Sequence, residues 1–192
     1  MSLTVPNVLT ILRLFAAPCL GLFLIIDLGG KEKVIAIFIF FFAAMTDYFD
    51  GYLARLWDQK TVIGEILDPI ADKAMVIISL SFISFTFDDY WSQIIYGIPT
   101  VVIIFREIFI SGLREYDSGA SKVLAVTKLS KMKTTVQLCS IGLLLIGDIQ
   151  ELNYLLIKEL GLLTLWIASF ITLITGIDYL KKVFFNGQGT KI

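Results

Sequence analysis

Six apolar stretches dominate this sequence, and each is close to the length that a helix needs to cross a lipid bilayer. They cover approximately residues 7–28, 34–53, 67–87, 91–113, 134–147 and 154–184. A transmembrane helix needs about 20 mostly apolar residues. The fifth stretch reaches that length only if its polar start, from Lys133 to Thr135, is included. We therefore predict an all-α integral membrane protein with six transmembrane helices, forming a single domain over residues 1–192.

The composition supports a membrane protein and narrows its chemistry. Hydrophobic residues make up 57% of the chain, whereas soluble domains contain about 45–50%. There are no histidines, so acid–base and metal chemistry must rest on carboxylates, which favour hard cations such as Mg²⁺, Mn²⁺ or Ca²⁺. The net charge of -1 gives no general signal for nucleic acid. Cys19 and Cys139 both lie in apolar stretches, where packing is a better interpretation than a disulfide.

Lysine and arginine residues predict the orientation in the membrane. If the N-terminus is inside, only Lys31, Lys33 and Lys158 lie outside, and all other lysines and arginines lie inside. The positive-inside rule then places both termini in the cytoplasm. In this topology the second to fifth helices carry their polar groups in the same cytoplasmic third. We therefore predict a polar cavity that opens to the cytoplasm, rather than a pore or an alternating-access transporter.

Four aspartates lie at the cytoplasmic ends of the second and third helices. Asp47 and Asp50 are spaced i, i+3, and Asp68 and Asp72 are spaced i, i+4, so each pair projects from one helix face. Charges at bilayer depth cost several kcal/mol and seldom persist without a role. Close carboxylates repel one another, and divalent cations that serve phosphoryl transfer relieve that repulsion. The alternative is four solvated aspartates at helix ends, with Asp68 as an N-cap before Pro69.

Small residues and one arginine accompany the aspartates. Gly51, Ala54 and Gly64 lie on or near the aspartate faces, where they would let a ligand approach the backbone closely. Taken alone, such residues are better explained by ordinary packing between membrane helices. Arg55 could bind a diphosphate through its forked guanidinium, or simply lie at the interface as a positive-inside residue.

In chain order these residues form the pattern Asp47-x2-Asp50-Gly51-x2-Ala54-Arg55-x8-Gly64-x3-Asp68-x3-Asp72. The pattern resembles the signature of the CDP-alcohol phosphotransferase family at every specified position. The resemblance implies a six-helix fold, a homodimer, two Mg²⁺ or Mn²⁺ ions, and cleavage of a CDP-linked lipid or alcohol with release of CMP. It implies metal ligation by the four aspartates, with Asp72 as the catalytic base. The implied CDP-binding residues are Asp47, Asp50, Gly51, Ala54, Arg55, Gly64 and Asp68.

Three further segments indicate the acceptor. Residues 5–13, 106–115 and 131–137 resemble segments of the bacterial phosphatidylglycerophosphate synthase branch of this family. That branch joins CDP-diacylglycerol to glycerol 3-phosphate, which implies a bacterial inner-membrane enzyme. A dianionic phosphate needs convergent cations and donors, and the predicted acceptor-phosphate residues are Arg106, Arg114, Lys133 and Thr134, with Thr135 as a substitute for the last. The alternative is that the cations only anchor helices to anionic lipid.

Three rival functions stay open at this point. Another member of the same family would use serine, inositol phosphate or phosphatidylglycerol as the acceptor, and the aspartate pattern does not separate these. A divalent-cation transporter would use the acidic cluster as its ion site, although the one-sided polarity of the helices counts against it. A membrane prenyltransferase also uses aspartates and Mg²⁺, but with wider aspartate spacing on two separated segments.

Overall fold

Six α-helices account for nearly all of the chain that the computed structural model describes, namely residues 4–28, 30–56, 61–87, 89–116, 128–149 and 154–186. The description does not extend to the side chains at 48, 50–55, 65, 114–116, 128–131, 154 and 183–186. The helices are α1 (Val5–Ile25), α2 (Lys31–Leu56), α3 (Val62–Phe85), α4 (Tyr90–Tyr116), α5 (Lys128–Gly147) and α6 (Tyr154–Asn186). Each of the six predicted stretches falls on one of these helices, and the described residues form no strand.

The start of α3 differs from its predicted start at residue 67. The helix begins at Val62, and Thr61 is its N-cap, with Thr61 Oγ1 accepting a hydrogen bond from the Gly64 N–H at 3.1 Å. A Thr side chain satisfies one of the N–H groups that the first turn of a helix leaves without a partner. Asp68 therefore lies inside the helix, and the interpretation of Asp68 as an N-cap is wrong.

Three of the helices are long and apolar enough to cross a membrane, by length and composition. They cover Val5–Ile25, Tyr90–Leu113 and Leu155–Lys182, and a shorter apolar helix covers Met132–Gly147. Large apolar side chains such as Phe38 and Phe85 point outward and are more than two-thirds exposed. An outer surface of this kind is suited to contact with lipid rather than water. The number of six membrane spans stays a prediction.

The helices pack as two connected groups. α1 packs along α2 and α3, while α5 packs along α6, which also contacts α4. α2 and α3 each contact α5, and α3 contacts α4, so that the two groups share one apolar core. Its fully buried larger members are Leu20, Leu80, Ile103, Ile141 and Leu165. Alanines at 17, 36, 43 and 168 are also fully buried, and such small residues let membrane helices approach closely.

The contact between α5 and α6 depends on two glycines. A Cβ on Gly161 would lie 2.8 Å from Leu144 Cδ2, and one on Gly147 would lie 2.9 Å from the backbone nitrogen of Lys158. The Ser140 hydroxyl donates to the Gly161 carbonyl at 3.1 Å across the same contact. Close backbone approach therefore fixes the position of α5, which carries part of the site described below.

The end of the bundle formed by the start of α2 and the end of α5 has its own polar contacts. Lys33 Nζ lies 2.8 Å from Asp148 Oδ2, and the carboxylate of Glu32 accepts from the backbone N–H of Leu28 at 2.9 Å.

Cys19 and Cys139 are both free and exposed. They are not joined in a disulfide, in agreement with the interpretation of the sequence, and they lie on the outer surface of the bundle rather than in its core.

Candidate active site

Arg13 of α1 lies among the aspartates of α2 and α3. Its side chain is buried, and its Nη1 lies 2.7 Å from Asp72 Oδ1 and also contacts the carboxylate of Asp47. Its Nη2 lies 3.7 Å from Asp68 Oδ1. Each of the three carboxylates is about half exposed, so their open sides face away from α1. One guanidinium thus brings aspartates from two helices to one point.

Two polar residues one and two turns before Arg13 complete the contact between α1 and α3. The Thr10 hydroxyl donates to Asp68 Oδ1 at 2.7 Å, and its oxygen also lies 3.1 Å from the carbonyl oxygen of Pro6. The Thr61 hydroxyl donates to Asn7 Oδ1 at 2.7 Å. These bonds fix the height of α1 relative to α3, and they hold the carboxylate of Asp68 in one orientation.

Gly64 lies at the contact between α1 and α3. A Cβ at this position would lie 3.0 Å from Asn7 Oδ1 and 3.2 Å from Thr61 Oγ1. A side chain here would be tightly packed, which supports helix packing, the alternative to a role in nucleotide binding, as a reason for this glycine. A role for Gly64 in binding CDP stays a prediction.

Sequence reasoning missed Asn7, Thr10 and Arg13 as site residues. It counted Arg13 only toward the membrane orientation and within a segment that resembles relatives. The signal was present, because the three residues recur at i, i+3 and i+6 and therefore share one face of α1. All three are buried on that face. A polar stripe on one side of an otherwise apolar membrane helix indicates a polar partner inside the bundle.

The predicted metal ligands are only partly described. Asp47, Asp68 and Asp72 converge, whereas the side chains of Asp50, Gly51, Ala54 and Arg55 lie outside the described residues. The described residues contain no group of three metal-binding side chains close enough to hold one ion. The chemistry of the donors nevertheless fits a divalent cation, because every donor is a carboxylate oxygen, as Mg²⁺ and Mn²⁺ prefer. The guanidinium of Arg13 occupies the place of a cation between two of these aspartates.

A second polar cluster connects α4, α5 and α6. Glu107 Oε1 accepts from Lys133 Nζ, and it lies 3.4 Å from Arg106 Nη1 and 3.5 Å from Gln137 Nε2. Gln137 also donates to Thr172 Oγ1 at 3.0 Å. These side chains are buried, and a buried carboxylate between two cations compensates half of their formal charge.

The predicted acceptor-phosphate residues differ in how far they are buried. Arg106 and Lys133 are buried beside Glu107, and Thr134 is exposed. The side chain of Arg114 lies outside the described residues, although its backbone belongs to α4. Glu107 was not predicted as a site residue. Its adjacency to Arg106 in the sequence is a weak signal, because adjacent helical residues do not face each other.

One cavity of about 330 Å³ lies between the aspartates and the second polar cluster. This volume is at the lower end of the roughly 300–1,000 Å³ that ligand pockets occupy. The wall formed by α3 carries Asp68, Asp72 and Lys73, and the wall formed by α4 and α5 carries Arg106, Glu107 and Lys133. The lining residues that carry the chemistry are Asp68, Asp72, Arg106, Glu107, Lys133 and Thr134. The cavity can therefore hold a small molecule that is anionic at one end.

Comparison with known proteins identifies the class that this fold and site define. Residues 3–174 match the CDP-alcohol phosphatidyltransferase family. The chain belongs to this family of transferases, whose members generally depend on a divalent cation, and it is a membrane protein. The resemblance drawn from the aspartate pattern is thereby confirmed.

Several curated relatives cover nearly the whole chain. A protein of Cereibacter sphaeroides is 37% identical over 95% of this chain and 96% of its own length. A protein of Wigglesworthia glossinidia brevipalpis is 36% identical over 93% and 94%, and one of Yersinia enterocolitica is 39% identical over 86% and 91%. All three are named CDP-diacylglycerol–glycerol-3-phosphate 3-phosphatidyltransferase.

Proposed function

We propose that this chain transfers the phosphatidyl group of CDP-diacylglycerol to glycerol 3-phosphate, giving phosphatidylglycerophosphate and CMP for phospholipid biosynthesis. The observation that carries the proposal is the cavity that Asp68 and Asp72 of α3 line together with Arg106 of α4 and Lys133 of α5. Glycerol 3-phosphate is a small molecule with a dianionic phosphate at one end and a primary hydroxyl at the other. The names of the relatives and the three segments shared with the phosphatidylglycerophosphate synthase branch support the same substrates.

The aspartate wall is the proposed donor site. Asp47, Asp50, Asp68 and Asp72 are the proposed ligands of two Mg²⁺ or Mn²⁺ ions. When bound, such ions stabilise the negative charge of the CDP diphosphate as CMP leaves. The CDP moiety is proposed to lie along residues of α2 and the start of α3, namely Gly51, Ala54, Arg55 and Gly64 in addition to the aspartates. The acyl chains of the donor would remain in lipid.

The cationic wall is the proposed acceptor site. Arg106, Arg114, Lys133 and Thr134 would bind the phosphate of glycerol 3-phosphate. Support comes from Arg106 and Lys133, which line from α4 and α5 the same cavity that Asp72 lines from α3. Charge-assisted hydrogen bonds from such cations to phosphate are roughly twice as strong as neutral ones. Their positions are set by Glu107 and Thr175, the latter accepting from Arg106 Nη2 at 3.3 Å.

The reaction exchanges a phosphoanhydride bond for a phosphoester bond. The primary hydroxyl of glycerol 3-phosphate attacks the phosphorus that carries diacylglycerol, the new O–P bond forms, and the P–O bond to CMP breaks. Asp72 is the proposed base that accepts the hydroxyl proton. Asp72 lines the cavity, and Arg13 holds its Oδ1 at 2.7 Å, which leaves the rest of the carboxylate open toward the acceptor. Arg13 is thus proposed to position the base.

The proposed setting is the inner membrane of a bacterium, with six spans, both termini and the cavity on the cytoplasmic side, and a homodimer as the working form. The distribution of lysine and arginine supports the orientation. In a chain whose Cys19 and Cys139 have been replaced by alanine, an impermeant thiol reagent applied to intact cells should label Lys31→Cys and not Lys181→Cys. The opposite result would reverse the topology.

The decisive experiment is an acceptor assay with the purified full-length chain. Radiolabelled CDP-diacylglycerol and Mg²⁺ or Mn²⁺ are supplied with glycerol 3-phosphate, serine, inositol phosphate or phosphatidylglycerol in parallel, and the lipid product and released CMP are measured. We expect product only in the reaction that contains glycerol 3-phosphate as the acceptor. Product with another acceptor would reassign the enzyme within its family. Metal flux into liposomes without any CDP-lipid would favour a transporter.

A further inference from the structure

Glu107 is a carboxylate within the wall that we assign to the acceptor phosphate. A negative charge at this place repels an anionic ligand, so its presence needs a physical reason. Part of the reason is structural, because Oε1 of Glu107 binds Lys133 and lies 3.4 Å from Arg106 Nη1. This arrangement holds cations from α4 and α5 in fixed positions and compensates part of their charge.

The second carboxylate oxygen of Glu107, Oε2, takes no part in these contacts with the two cations. Within the described part of the chain, every contact of this carboxylate to Arg106, Lys133 and Gln137 uses Oε1. Glu107 also lines the cavity. A carboxylate has about four lone-pair positions spread over both oxygens, whereas ammonium and guanidinium groups only donate. Oε2 is therefore a charged acceptor that this wall has left for a ligand, and its partner is a hydrogen-bond donor such as a hydroxyl.

We infer that Glu107 determines acceptor specificity, with its Oε2 accepting a hydrogen bond from the secondary hydroxyl of a phosphorylated polyol. The inference rests on the proposed function, since glycerol 3-phosphate has one secondary hydroxyl between its phosphate and the primary hydroxyl that attacks. With the phosphate on Arg106 and Lys133, the neighbouring carbon lies beside the carboxylate that bridges these two cations. By binding the secondary hydroxyl, Glu107 then selects a polyol phosphate as the acceptor and aligns the attacking primary hydroxyl toward Asp72.

The rival interpretation is that Glu107 only positions the cations. Both interpretations predict that loss of Glu107 lowers activity, so activity alone does not separate them. A comparison of two acceptors separates the two interpretations. 3-Hydroxypropyl phosphate has the phosphate and the primary hydroxyl of glycerol 3-phosphate and lacks only the secondary hydroxyl. A site that hydrogen-bonds this hydroxyl rejects the analogue, whereas a site that binds only the phosphate accepts both.

The experiment measures kcat/KM for both acceptors with the full-length enzyme in mixed micelles. For the wild type we expect a value about 10- to 100-fold lower with 3-hydroxypropyl phosphate, the range typical of a lost hydrogen bond to a charged group. In Glu107→Ala this ratio should fall to nearly 1, because neither acceptor then has a partner for the hydroxyl. Glu32→Ala is the matched control, because Glu32 is a second buried glutamate that binds backbone N–H groups outside the cavity, and its ratio should equal that of the wild type.

Three outcomes would overturn the inference. One is a wild type that uses both acceptors equally well, which decides the matter even if Glu107→Ala does not fold. Another is a Glu107→Ala enzyme with lower activity on both acceptors and an unchanged ratio, which assigns only a positioning role. The third is a wild type that makes no product from glycerol 3-phosphate. That result refutes the proposed function itself, and it is recognised before any variant is made.

Discussion

Arg13 Nη1 and Asp72 Oδ1 lie 2.7 Å apart, and this ion pair joins the buried face of α1 to the proposed base on α3. The same nitrogen contacts Asp47 of α2. Three helices therefore meet at a single guanidinium. A planar guanidinium binds several carboxylates in fixed directions, which an ammonium group on a flexible stem does not do.

The first prediction concerns Arg13. Arg13→Gln should lower kcat by about 100-fold, because a carboxylate displaced by about 1 Å from its productive position loses about that factor. Arg13→Lys should recover only part of the activity, because it restores the charge but not the planar arrangement of donors in a guanidinium. Steady-state kinetics of detergent-solubilised enzyme would measure both. Lys182→Gln, which removes an exposed i, i+4 pair with Asp178, is the control and should be neutral.

Full activity in Arg13→Gln would show that Asp72 is positioned without Arg13. Activity in Arg13→Lys equal to that of the wild type would show that charge alone suffices. A thermal unfolding measurement on each variant separates a loss of chemistry from a loss of fold.

The second prediction concerns Asp72 as the base. Asp72→Asn should reduce turnover by about 10²- to 10⁴-fold, the range of general-base contributions, and should leave the chain folded. The side chain is half exposed, so a neutral amide of the same size is tolerated at this place. Release of CMP from CDP-diacylglycerol measures the turnover. Asp178→Asn on the exposed face of α6 is the control. Retention of full turnover in Asp72→Asn would remove Asp72 as the base.

The third prediction concerns the cationic wall. Arg106→Ala, Arg114→Ala and Lys133→Ala should each raise the KM for glycerol 3-phosphate by about tenfold, because each loses a charge-assisted hydrogen bond to the phosphate. The KM for CDP-diacylglycerol should change little and serves as the internal control. Equal changes in both constants would refute a role in binding the acceptor phosphate and would favour the alternative of lipid anchoring.

Much of this architecture can be predicted from the sequence, for a clear physical reason. Each helix is a long apolar stretch, and the cost of exposing polar backbone to lipid makes such stretches helical. The spacing of Asp68 and Asp72 likewise predicts their shared face. The start of α3 was harder to place, because Thr61 caps the helix through a local bond that apolar periodicity does not detect.

The contacts between helices were the part that sequence reasoning did not reach. Arg13 and Asp72 are far apart in the chain, and nothing in either local pattern says that their helices are neighbours. Glu107 presents the same difficulty, because its partner Lys133 lies on another helix, beyond residues 117–127. Such pairings depend on how the apolar faces and small residues pack, which is a property of the whole bundle.

The fourth prediction uses two glycines to separate packing from helix propensity. Alanine is favoured over glycine inside a helix by roughly 0.5–1 kcal/mol. Gly97→Ala in α4 should show this gain in thermal unfolding, because a Cβ there meets no atom within 4 Å among the described residues.

Gly64→Ala should instead lower the unfolding temperature, because its Cβ would lie 3.0 Å from Asn7 Oδ1 and would disturb the cap made by Thr61. Since Asn7 and Thr10 hold α1 at the height that presents Arg13 to Asp72, Gly64→Ala should also lower kcat. A Gly64→Ala enzyme as stable as Gly97→Ala, but with a raised KM for CDP-diacylglycerol, would show that Gly64 serves the nucleotide rather than the helix contact.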